Sequence, residues 1–212
     1  MRVGWRSVFL ASGFVGVLLV SSLASAGLAE GLAAYQRGDG KAALAQLKPL
    51  ATRGDAEAQY YLGRLYYYEE LGLRRNYRSS ARWFRRAADQ GHAAAQYKLG
   101  GMYFSGRGVP PDDRLAIKWW RQAAEQGHGE SQNNLGALFA NGRGVPRNMV
   151  AAYALQALAL ANGNELAAEN LRAKEAAMTE ADLEAAKQLA REMADPTRLP
   201  AILDRFMAPA AQ

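Results

Sequence analysis

The side chains that could do chemistry are few: His92 and His128, the carboxylate pairs Glu69-Glu70 and Asp112-Asp113, and the arginines of two Gly-Arg-Gly-Val-Pro stretches, Arg107 and Arg143. An imidazole beside a carboxylate could shuttle a proton, and two imidazoles could share a metal ion. Their spacing argues for neither. His92 and His128 stand 36 positions apart and each follows a glycine, so they hold the same place in a repeating plan. On successive helical units they would lie roughly 10 Å apart by the usual interhelical spacing, too far for one ion. The chain has no cysteine and no serine in a nucleophile motif. Asp112-Asp113 reads as the start of a helix, one residue as cap and the next as a partner of the helix dipole. Glu69-Glu70 reads as solvated. The expectation is a protein without catalytic residues, metal or cofactor.

The stretches SGRGVPP (105–111) and NGRGVPR (141–147) raise the question of a phosphate cradle. Such a loop joins a strand to a helix, and no strand pattern surrounds these. The elements that position them come from a repeat. Gly54, Gly91, Gly127 and Gly163 recur at 37, 36 and 36 residues, and so do Asp39, Asn76, Asp112 and Asn148. Leu62-Gly63, Leu99-Gly100 and Leu135-Gly136 share that register and are followed by Tyr66, Tyr103 and Phe139. A 36-residue period predicts a solenoid of stacked units.

Each unit divides into two helices. In residues 93–104, Ala95, Leu99, Met102 and Tyr103 form an apolar face of helical period, and Gly100 allows a close neighbour. In residues 113–126, Ala116, Trp119, Ala123 and Ala124 form the complementary face. Asp39, Asn76, Asp112 and Asn148 are expected as N-caps of the second helices, and the glycines at 54, 91, 127 and 163 as their left-handed ends. The Gly-Arg-Gly-Val-Pro stretches then become helix-to-helix turns, their valines directed to the core and their prolines blocking further helix. The loop over residues 69–75 is one residue longer, lacks proline, and should differ in shape and mobility.

At these residues the chain resembles the Sel1-like repeat family, relatives of the tetratricopeptide repeats. The unit AAAQYKLGGMYFSGRGVPPDDRLAIKWWRQAAEQG, from Ala93 to Gly127, follows the family pattern at nearly every fixed position. The units before and after match it too, with the altered loop in one, and Phe139 for the tyrosine and Leu155 for the tryptophan in the other. The expected fold is all-α: an α-solenoid, a right-handed superhelix of antiparallel helical hairpins. Residues 27–54 are a degenerate leading hairpin, 55–164 three repeats, 165–194 a capping pair of helices with a wetter face, and 195–212 a tail. Its Ile202, Leu203, Phe206 and Met207 either fold back on the last helices or bind a partner. The resemblance implies adaptors in signalling, envelope assembly and polysaccharide export. Cysteine-rich relatives act on β-lactams, but this chain lacks their disulfide framework.

The first 26 residues differ from the rest. Arg2 and Arg6, an apolar run from Val8 to Val20, and Ala24-Ser25-Ala26 predict a signal peptide cleaved after Ala26, giving a periplasmic or secreted protein with no membrane span in the mature chain. An uncleaved anchor is the competing reading. The mature chain would hold 24 basic and 20 acidic residues, a charge of +4 against +6 for all 212 residues. That mild, scattered excess, without aromatic interleaving, argues against nucleic acid.

A solenoid of this kind presents a concave wall formed by its first helices. The positions that the repeat leaves unfixed there are Tyr60, Tyr61, Arg64, Tyr67 and Tyr68, then Tyr97 and Lys98, then Asn133 and Asn134. Tyrosine and arginine bury large area and keep a polar end, which suits them to anchor a partner. The predicted function is a scaffold or adaptor gripping a protein or extended peptide of the cell envelope, with Tyr61, Arg64, Tyr68, Lys98 and Asn134 as anchors. The alternatives are a binder of peptidoglycan or other glycan fragments, with tyrosines stacked on sugar rings, and a weak hydrolase.

Overall fold

The computed structural model describes residues 26–69 and 72–207. Nearly all of the predicted signal segment, Glu70 of the first carboxylate pair and the last five residues lie outside them. Eleven helices follow in order: α1 (26–36), α2 (Gly40–Thr52), α3 (Ala56–Tyr67), α4 (Tyr77–Asp89), α5 (Ala93–Ser105), α6 (Asp113–Glu125), α7 (Gly129–Asn141), α8 (Met149–Ala161), α9 (Ala167–Glu175), α10 (Glu180–Met193) and α11 (Leu199–Met207). Among the described residues there is no strand, and no helix long and apolar enough to cross a membrane.

The punctuation does what its chemistry requires. Asp39, Asn76, Asp112 and Asn148 each accept a bond from the backbone N–H three residues on, capping α2, α4, α6 and α8. In the turn between α5 and α6, Gly106 (φ 69°) and Gly108 (φ 73°) take the left-handed conformation, which a side chain would strain. Val145 is buried beyond the equivalent turn, and Val109 packs partly against the same core. Arg143 is spent on the frame: it reaches the start of α6 through two bonds to Asp113, at 2.9 and 2.8 Å, with its guanidinium 3.9 Å from the centre of the Phe104 ring.

Hairpins α3–α4, α5–α6 and α7–α8 pack through the predicted apolar faces, with Leu99, Met102, Ala116 and Trp119 buried among them. A hydrogen-bonded clamp joins each hairpin to the one before. Gln59, Gln96 and Gln132, all buried, donate to the carbonyls of Ala51, Ala88 and Ala124 at the end of the preceding helix, and accept from Gln90, Gln126 and Asn162 at the end of the following one. Helices α3 and α5 also touch each other, as expected of first helices lining the inside of the curve.

The end of the solenoid departs from a simple capping pair. Helices form close to the expected places, but α10 packs mainly against α8 rather than alongside α9. The tail folds back further, to α6. Arg121 donates to Asp204 at 2.5 Å and to the carbonyl of Pro200, Phe206 meets Phe139 edge-on, and Leu199, Ile202 and Leu203 are buried.

Candidate functional site

On α3 the buried face is Ala58, Leu62 and Leu65, which leaves Tyr60, Tyr61 and Arg64 half-buried on the inner wall. The Arg64 guanidinium sits at the centre of an aromatic girdle: its carbon is 4.9 Å from the Tyr35 ring centre, 5.6 Å from Tyr61, 5.8 Å from Tyr60 and 6.0 Å from Tyr68. Ring faces attract a cation, so the rings hold the charge in place. Among the described residues the Nε of Arg64 has no hydrogen-bond partner and is buried under this girdle. Tyr68, the extended residue that ends α3, brings its ring to this group from the helix end.

A second group lies one unit along. Lys98 donates to the Tyr68 hydroxyl at 3.2 Å and lies 5.2 Å from the Tyr97 ring centre. Arg107, exposed in the turn after α5, donates to the Tyr67 hydroxyl at 2.6 Å. Tyr67, Tyr97, Lys98 and Arg107, with Gly101 and Asn134, line a recess of about 210 Å³. Burial raises the pKa values of Tyr60 and Tyr97 against the opposing pull of nearby cations, which keeps both phenols neutral and able to donate.

The histidines belong to the frame of this wall. His92 stacks on Tyr60 at 4.6 Å and His128 on Tyr97 at 4.8 Å. Each also caps its helix through Nδ1, accepting from the N–H of Ala95 at 3.2 Å and of Ser131 at 3.4 Å. His92 Nε2 meets Glu57 at 3.0 Å. Burial, the largest influence, lowers the His128 pKa although Glu130 pulls it up, which favours the neutral ring that the cap needs. Among the described residues no group of three or more His, Asp or Glu is placed to hold a metal ion.

Of the sequence candidates, Tyr60, Tyr61, Arg64 and Tyr68 form one cluster, and Tyr67, Tyr97, Lys98 and Asn134 the adjoining recess. Asn133 is tied elsewhere, accepting from Asn170 of α9 at 3.1 Å. Two residues join the wall that sequence reasoning did not place there. Tyr35 comes from α1, outside the well-formed repeats, and only folding brings it to Arg64. Arg107 sits in the otherwise structural turn, and the clue to its role was that it is the one charged side chain in residues 105–111.

The Sel1 repeat family model matches residues 56–92, 93–128 and 129–164, just over half of the chain. Among solved structures, the fold is similar to a protective antigen of uropathogenic Escherichia coli strains that displays an SLR fold, with TM-score 0.66 and 32% identity over 81% of this chain and 37% of that one. It is also similar to a Sel1 repeat protein from Oxalobacter formigenes, with TM-score 0.65 and 29% identity over 68% of this chain and 58% of that one. A shorter match, 38% identity over 58 residues, links it to the Arabidopsis thaliana protein named ERAD-associated E3 ubiquitin-protein ligase component HRD3A, of which it spans 9%. The chain thus spans less than two thirds of the length of each of these relatives. Three matched repeats, and the hairpins, caps and turns they specify, make this chain a member of the Sel1 repeat family.

Proposed function

We propose that the protein is an exported, non-catalytic adaptor that grips an extended peptide of a partner protein along its inner wall. The observation that carries this is Arg64, held among four tyrosines, with Lys98 sharing Tyr68 with it and Arg107 lining the adjoining recess beside Lys98. A recess of about 210 Å³ is small for a drug-sized ligand. It suits one side chain of a longer segment, whose carboxylates the three cations receive. The Arabidopsis relative, by its name, works inside a larger assembly, in keeping with an adaptor. A glycan binder would use tyrosine ring faces, but His92 and His128 already stack on Tyr60 and Tyr97. The test is a photocrosslinking residue at Tyr61 or Asn134 in the full chain, expressed in its own cell and read by mass spectrometry. Both positions should crosslink one envelope protein, and Arg64→Ala should abolish this with the helical circular dichroism unchanged. Crosslinks indifferent to Arg64→Ala, or to wall material alone, would overturn the proposal.

A further inference from the structure

The hairpins carry two equivalent grooves, one filled and one open. The filled groove is the α6–α7 site occupied by α11. There Arg121 takes the carboxylate of Asp204 and the carbonyl of Pro200, and Phe139 meets Phe206. One repeat earlier, 36 residues back, Arg85 stands for Arg121, Tyr103 for Phe139, Val109 for Val145 and Leu99 for Leu135. These earlier residues line an open groove of about 750 Å³ between α4, α5 and the turn that follows α5. Its floor is apolar, with Leu99, Tyr103 and Val109, and its rim is basic, with Arg78, Arg82 and Arg86 beside Arg85.

Arg85 is poised as Arg121 is, but without a carboxylate. It donates to the Tyr103 hydroxyl and lies 5.1 Å from the Trp119 ring centre. Among the described residues no acidic side chain pairs with it, whereas Arg121 has both Glu125 and Asp204. Position 103 differs from 139 by the hydroxyl that occupies Arg85, so the open site keeps its cation in place while empty.

We infer that this groove docks an amphipathic helix of a partner protein, one that presents apolar residues at the spacing of Leu199, Ile202 and Leu203, a carboxylate in the place of Asp204, and an acidic outer face. The molecule's own filled groove supplies the template for the apolar contacts and the arginine–carboxylate bond. The four arginines supply the charge preference, since α11 carries Arg205, with Arg198 just before it, and suits this rim less well than an acidic helix. The site shares no lining residue with the inner-wall recess and stands or falls independently of it.

The probe is a fluorescein-labelled peptide of residues 197–207 carrying Arg198→Glu and Arg205→Glu, stapled on its outer face so that it is helical before binding. Fluorescence anisotropy with the full chain should show saturable binding that Arg85→Glu weakens at least tenfold, that Val109→Asp also weakens, and that Arg114→Glu, the same charge change at the counterpart of Arg78 one repeat on, leaves within twofold. Arg64→Ala should leave it unchanged, which separates this site from the inner wall. The inference is overturned if Arg85→Glu has no effect, if Arg114→Glu weakens binding equally, or if vesicles rich in phosphatidylglycerol bind Arg85-dependently while the peptide does not. A dimer of the unmodified chain that Arg85→Glu dissociates would assign the groove to a second copy and overturn it as well.

Discussion

A β-carbon on Gly100 would come within 2.6 Å of the Trp120 ring and 3.1 Å of the Ala116 carbonyl oxygen, so the contact between α5 and α6 has no room for even a methyl group. Gly101, beside it, faces open space. Gly100→Ala should therefore lower stability by about 1–3 kcal/mol through overpacking, while Gly101→Ala should raise it by up to ~1 kcal/mol through helix propensity. Urea unfolding of the two variants makes the comparison. His128 gives a second test at this scale. Its folded pKa lies below the ordinary imidazole value, so below that value the unfolded chain binds the extra proton more readily than the folded one. This contribution to stability is complete above pH ~6.5 and is lost as pH falls toward the depressed pKa. The drop in unfolding midpoint between pH 7.5 and 5.5 should be smaller in His128→Asn, whose amide oxygen caps without titrating.

The elements that repeat were legible because one physical requirement recurs in them. A side-chain oxygen where Asp112 stands, a glycine where Gly106 stands and an apolar face of period 3.6 each announce a helix start, stop or side, and repetition at 36 residues confirmed the register. The placement of α10 and α11 was not legible in the same way. Ile202, Leu203 and Phe206 announce that one face of the tail is covered, but the stripe does not say by what, and Arg121 carries no mark of its distant partner Asp204. The buried glutamines were hidden for another reason: a polar residue on an apolar face reads as an interruption until its carbonyl partner is seen. The α11 site also has a measurable weight. Leu199, at 2% exposure, and Leu203, at 0%, each contribute about 1.5–3 kcal/mol by burial. Ending the chain after Asp195 should then lower stability by about 3–6 kcal/mol as an upper range, and should bare an apolar strip that binds a hydrophobic dye.

Across the whole molecule, the candidate wall was only half legible. Tyr60, Tyr61, Arg64 and Lys98 stand out as positions the repeat does not fix, whereas Tyr35 and Arg107 reach the wall from a degenerate helix and a turn. Each of the clamps through Gln59, Gln96 and Gln132 bonds three successive helices, so neighbouring units cannot swivel without breaking the buried bond that joins them. The interval between Arg64 and Lys98 is thereby a fixed gauge. A partner segment is measured against a ruler graduated by the hairpins, and one whose charged groups fall out of step finds no second notch to settle into.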